Sequence, residues 1–167
     1  MQLYKLYIFL SVVTLNLMVY ANPLEEVRMK FPNFNSEKEV DHYIAKLRTD
    51  ESSLAQAYLG SLYFFKSKYS VFPPSKYKFF KKGRNLIDLA CEVNPKSIEI
   101  RFLRLVFQYQ LPSFLGYNDD KEKDFKFFTH NYINTNLGLE KKSRMLTQLM
   151  GLDKLEIEKY QQLKQLQ

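Results

Sequence analysis

The sequence holds one cysteine, no tryptophan, two histidines and only five glycines in 167 residues. Each shortage closes a route. A single cysteine, Cys91, permits no intramolecular disulfide, which argues against a small extracellular domain stapled by bridges. The histidines, His42 and His130, fall on different segments, with no H-E-x-x-H and no paired-cysteine spacing, so a metal site is not expected. Scarce glycine disfavours an all-β protein, whose tight turns lean on it, and a glycine-rich phosphate cradle. There is no G-x-S-x-G elbow. Asp41 and His42 are adjacent on a helix and point apart, so they form no dyad. The sequence offers no Asn-x-Ser/Thr acceptor, which fits an exported bacterial protein better than a eukaryotic secreted one. These absences lead to the expectation of a non-catalytic protein with no cofactor and no metal. An envelope hydrolase with an unrecognised site is the remaining enzymatic alternative, although no residue pattern points to it.

What is present is an ordinary globular composition, 46% hydrophobic and 26% charged, with 14 Phe, 12 Tyr and a formal net charge of +7. That composition excludes wholesale disorder. The first 21 residues, MQLYKLYIFLSVVTLNLMVYA, read as a signal peptide. Lys5 precedes an apolar run over about residues 6–19, and Val19 and Ala21 precede a cleavage point before Asn22. The run is shorter than the ~20 residues a spanning helix needs. Retention of the segment as an anchor is the alternative. Export to the periplasm or beyond makes nucleic acid a poor partner guess.

Residues 22–35, with Pro23 and Pro32, read as a lead-in. From residue 36 onward the spacing predicts a single all-α domain of about seven helices. Ser36 and Glu39 form a capping box, and Val40, Tyr43, Ile44 and Leu47 follow at helical spacing. SSLAQAYLGSLYFFKSKY is the next helix. A third, over about residues 74–92, sets Phe79, Phe80, Gly83, Leu86, Ile87, Ala90, Cys91 and Val93 on one face at ~100° per residue. The fourth, about 95–110, is apolar almost all round, as a helix buried on several sides must be. Asp119, Asp120 and Glu122 suit a helix N-terminus by charge–dipole attraction. Asp153 and Glu156 suggest a capping pair before the last helix. His130, between Phe128 and Tyr132, is expected to be a partly buried structural histidine.

Leu59, Gly60 and Tyr63 stand at the L-G-x-x-Y spacing of a tetratricopeptide first helix. Gly83, Ile87, Ala90 and Pro95 match its second helix, small, large, small, then proline. The chain therefore resembles a tetratricopeptide-like (TPR-like) repeat with an insertion between its helices, convincingly over about residues 53–95. The resemblance implies antiparallel helix pairs stacked as a right-handed superhelix that binds a protein or peptide. The segment from Arg101 to Tyr117 is also similar to one found in uncharacterised exported helical proteins of bacteria, which implies no activity.

Two candidate surfaces follow. Arg101, Arg104 and Gln108 recur at i, i+3 and i+7 along the most apolar helix. Buried arginines are expensive unless paired, so they either pair with carboxylates such as Asp120 and Asp124 or line a groove for a partner's carboxylate or backbone. Tyr117 completes that candidate partner-binding set. The second surface is the basic face at residues 76–84, with Lys78, Lys81, Lys82 and Arg84. It is either a solvated amphipathic face or a contact for anionic lipid. The expected function is thus an exported helical binding or scaffold protein for a protein or peptide of the cell envelope. The alternative is a peripheral envelope protein on anionic membrane. The segment from residue 89 to 117 does not span a bilayer. Asn94-Pro95 breaks it, and each arginine at mid-membrane would cost about 2.5–3.5 kcal/mol.

Overall fold

A computed structural model describes residues 22–167, and the signal peptide expected at residues 1–21 lies outside them. Among the described residues there are eight α-helices and no strand: α1 (Pro23–Lys30), α2 (Glu37–Leu47), α3 (Ser53–Tyr69), α4 (Pro73–Val93), α5 (Ile98–Gln110), α6 (Lys121–Asn131), α7 (Leu139–Met150) and α8 (Ile157–Lys164). A single 3-10 turn, Ser113–Leu115, follows α5. No described helix is long and apolar enough to cross a membrane.

The all-α expectation holds, but the helix count rises to eight because residues 22–35 are not a lead-in. Asn22 caps α1 by accepting the Leu24 N–H at 3.0 Å, Pro23 occupies the first turn, and Glu25 and Glu26 face the helix N-terminus. This is the favoured chemistry of a helix start. The other end is closed from a distance. The Arg144 guanidinium on α7 donates to the carbonyls of Arg28 and Phe31 at 3.1 and 3.2 Å, and the Gln148 amide donates to Phe31 at 2.9 Å. Phe31, 2% exposed, meets Tyr58, Phe65, Phe102 and Phe107 edge-on at 5.9–6.2 Å between ring centroids. The segment before residue 36 is therefore part of the domain core.

Three other local expectations change. Ser36 accepts the Glu39 N–H at 3.2 Å, but the Glu39 carboxylate takes the Asn35 N–H instead of that of Ser36. The fourth predicted helix, α5, starts at Ile98 behind a Ser97 cap, three residues later than expected. Asp153 and Glu156 make no capping pair. Glu156 sits at the cap of α8 without a capping bond, and its carboxylate is drawn to Tyr109 and Lys121 at 2.8 and 3.3 Å.

The core is organised by α3 and α5. Helix α3 packs against α1, α2, α4 and α5, while α5 packs against α3, α4, α6 and α7. Residues 57–65 of α3 and residues 98–109 of α5 are buried without interruption, as expected of helices enclosed by neighbours. The most extensive helix contact joins α3 to α4 across residues 70–72. Two glycines permit it. A Cβ on Gly60 would lie 2.8 Å from the Gly83 carbonyl oxygen, and one on Gly83 would lie 2.7 Å from that of Gly60. Cys91 lies on the inner face of α4, 5% exposed, and burial pushes its thiol up to about 12. It is a small buried hydrophobe, not a thiolate nucleophile.

Candidate functional site

The arginine stripe of α5 meets α6. Asp124, in the first turn of α6, is completely buried and receives both guanidinium groups. Arg104 donates to its two oxygens through Nε at 2.6 Å and Nη2 at 2.9 Å, and Arg101 donates through Nη1 at 2.7 Å. Further contacts hold both guanidinium groups. Arg101 Nε bonds the Pro95 carbonyl at 2.7 Å, and its guanidinium lies 4.3 Å from the Phe127 ring centroid. Arg104 Nη1 is 3.0 Å from Asp120 and 3.7 Å from Asp88. Burial works against the Arg104 charge, but hydrogen bonding and attraction to Asp124 outweigh it and raise its pKa. Of the two readings of the stripe, internal pairing with Asp120 and Asp124 is the arrangement adopted. The groove for an external carboxylate is corrected on this point: the guanidiniums are spent inside the domain.

The expected partner-binding set therefore divides. Gln108 and Tyr117 border a cavity of about 230 Å³ with Tyr109, Lys121 and Lys154, while Arg101 and Arg104 do not line it. Gln108 is 6% exposed, and its Oε1 has no hydrogen-bond partner among the described residues. The Tyr117 hydroxyl donates to Asp88 at 3.0 Å. Burial raises the Asp88 carboxyl above its ordinary pKa, although Tyr117 and Arg104 pull the other way. A larger open cleft of about 500 Å³ shares Tyr109, Leu111 and Lys154 with that cavity and has Phe64, Phe65 and Phe107 on its walls.

A second polar cluster escaped sequence reasoning. Glu99, 6% exposed, accepts a fork from Arg28 at 2.7 and 2.6 Å and the Tyr58 hydroxyl at 2.7 Å. This ties α1, α3 and α5 together over 71 residues of sequence. The available signal was Glu99 itself, a carboxylate on a helix with no exposed face, which demands a partner.

The basic face is largely solvent-facing. Lys78, Lys81 and Lys82 are exposed, and none has a carboxylate within 4 Å among the described residues. Lys82 rests 4.3 Å from the Tyr63 ring centroid and Lys81 5.8 Å from that of Tyr77. Arg84 differs from them. It donates to the Gly116 carbonyl at 3.1 Å, lies over Tyr117 and pairs with Asp88 at 3.5 Å, so it anchors the loop after α5. His130 is exposed, not partly buried as expected, because it is turned away from Phe128 and Tyr132 on the inner side of α6. No group of three or more His, Cys, Asp or Glu among the described residues is placed to hold a metal ion. No protein family, curated protein or solved structure matches this chain.

Proposed function

We propose that this chain is a non-catalytic helical binding protein of the cell envelope whose working surface is the α3–α4 hairpin. The supporting observation is the distribution of charge. Residues 52–87 contain seven basic side chains, Lys66, Lys68, Lys76, Lys78, Lys81, Lys82 and Arg84, and no acidic one. Without them the whole chain has 18 basic and 18 acidic side chains. With Asp88 and Glu92 at the far end of α4 counted, the α3–α4 hairpin carries +5, most of the chain's +7, and its outer part from residue 66 to 84 is basic only; a patch of this kind selects and steers anionic partners. The close seat of Gly60 on Gly83 is compatible with a TPR-like pair, in which small residues let two helices approach.

The test is binding to anionic vesicles and to polyglutamate at rising salt. Changing Lys78, Lys81 and Lys82 together to Gln is expected to weaken vesicle binding about a hundredfold, at roughly 1 kcal/mol per lysine. Equal binding by wild type and triple variant would sink the proposal.

One observation favours a second reading, a peptide segment held beside α5. The buried Gln108 Oε1 is an acceptor without a donor, and an extended peptide offers backbone N–H groups at that spot. Gln108→Leu is expected to weaken peptide capture while preserving the fold; a selected peptide that binds both proteins equally would refute it.

A further inference from the structure

Resting on the basic-hairpin reading, we infer that the anionic partner is a lipid bilayer and that the hairpin tip inserts Val71 and Phe72 between its headgroups. Val71 is 91% exposed and Phe72 64% exposed, two consecutive apolar side chains at the outer end of a helical hairpin. Isolated exposed apolar residues need no explanation, but an adjacent pair this exposed at the end of a hairpin has nothing in the domain to cover it. Phe72 also adds no side-chain bond to the helix that follows it. Helices α1, α2, α3 and α5 are capped by the side-chain oxygens of Asn22, Ser36, Ser52 and Ser97, while α4, α6, α7 and α8 have no side-chain cap bond. At the same position of α4 stands Phe72, which has no cap bond to offer. Its carbonyl accepts the Lys76 N–H at 3.0 Å, but its ring packs on nothing that needs it and is left in water, which fits a role outside the fold.

The surroundings match a membrane interface. Ser67 donates to the Lys76 carbonyl at 2.8 Å, which holds the end of α3 to the start of α4 and brings Lys68 and Lys76 to either side of the tip. Both lysines are exposed, as is Lys78. Their long stems let the ammonium groups reach phosphates while the tip goes deeper. Tyr77, 57% exposed, supplies the aromatic ring that favours the headgroup level. A groove-binding acidic peptide would use the lysines but would leave a protruding Val-Phe pair unused. The bilayer uses both.

The chain has no tryptophan, so Phe72→Trp installs a single reporter at the tip. With phosphatidylcholine vesicles containing phosphatidylglycerol, its emission is expected to shift to the blue and to be quenched by brominated acyl chains. With phosphatidylcholine alone it is expected to stay unshifted. Val71→Ser with Phe72→Ser is expected to lower partitioning about tenfold or more, from lost apolar burial, with an unchanged melting temperature. Three outcomes overturn the inference. Salt-sensitive vesicle binding with an unshifted reporter removes insertion and leaves the basic surface in place. Salt-sensitive binding to polyglutamate without vesicle binding replaces the bilayer with an acidic protein. Binding to neither removes the hairpin reading as well.

Discussion

Changing Asp124 to Asn would leave two guanidinium groups buried opposite a neutral amide. Removing one partner of a buried ion cluster costs about 3–5 kcal/mol, and the loss should appear as a lower denaturant midpoint. Asp124 lies at 0% exposure with hydrogen bonds of 2.6–2.9 Å to both arginines, so its carboxylate is closed to solvent. A steric test operates at Gly60. An added methyl would lie 2.7 Å from Ile87 Cγ1 and 2.8 Å from the Gly83 carbonyl oxygen. The side chain can rotate, whereas the backbone oxygen cannot yield without separating the helices. Gly60→Ala is therefore expected to destabilise the domain by about 1–3 kcal/mol, the usual range for overpacking, as read by thermal denaturation. Both residues were partly legible in the sequence. Gly60 stood at the repeat spacing, and Asp124 was among the carboxylates available to the arginines. Neither position announced how tightly its neighbours would close on it.

At the scale of single helices, legibility followed length and periodicity. Helices α2 to α5 carry long apolar stripes or unbroken apolar runs, so residue spacing located them. Helix α1 has eight residues and buries only Val27 from within its span. Its contribution comes from Phe31 just beyond its end and from Arg28 on Glu99, both set by contacts far away in sequence. Phe31→Ala is expected to cost about 3–5 kcal/mol, and a chain lacking residues 22–35 should show a collapsed unfolding transition. A fully stable truncated domain would return that segment to a lead-in.

Helix α8 depends on Glu156, a residue the sequence suggested for a cap and the structure assigns to Tyr109 and Lys121. Burial opposes the Glu156 charge, but bonds from its own backbone N–H, Tyr109 and Lys121 prevail and lower its carboxyl to about 2. A lowered folded pKa contributes stability above the unfolded carboxylate range, near 4.3, and loses it as pH falls towards 2. Acid titration in that window is expected to weaken the hold of α8 on α5 before the helices deeper in the core respond. Hydrogen exchange of α8 amides across the same range would detect it, and a flat profile would contradict it.

For the molecule as a whole, the basic character was evident from composition, but its confinement was not. A +7 chain could carry its charge evenly; here the positions of acids decide the matter, and none falls between residues 52 and 87. Reversing the signs of Lys78, Lys81 and Lys82 to Glu should abolish vesicle binding and leave the melting temperature nearly unchanged, since these side chains are exposed and lack acidic partners among the described residues. A large fall in melting temperature would show instead that the lysines support the fold. The same segregation also governs how copies would share a surface. If the hairpin faces lipid as proposed, the excess charge is turned away from neighbouring copies, because the chain outside residues 52–87 has equal numbers of basic and acidic side chains. Uniformly basic proteins repel sideways and stay dilute on a membrane. This one could pack at high areal density, forming a layer whose spacing is set by its shape instead of by its charge.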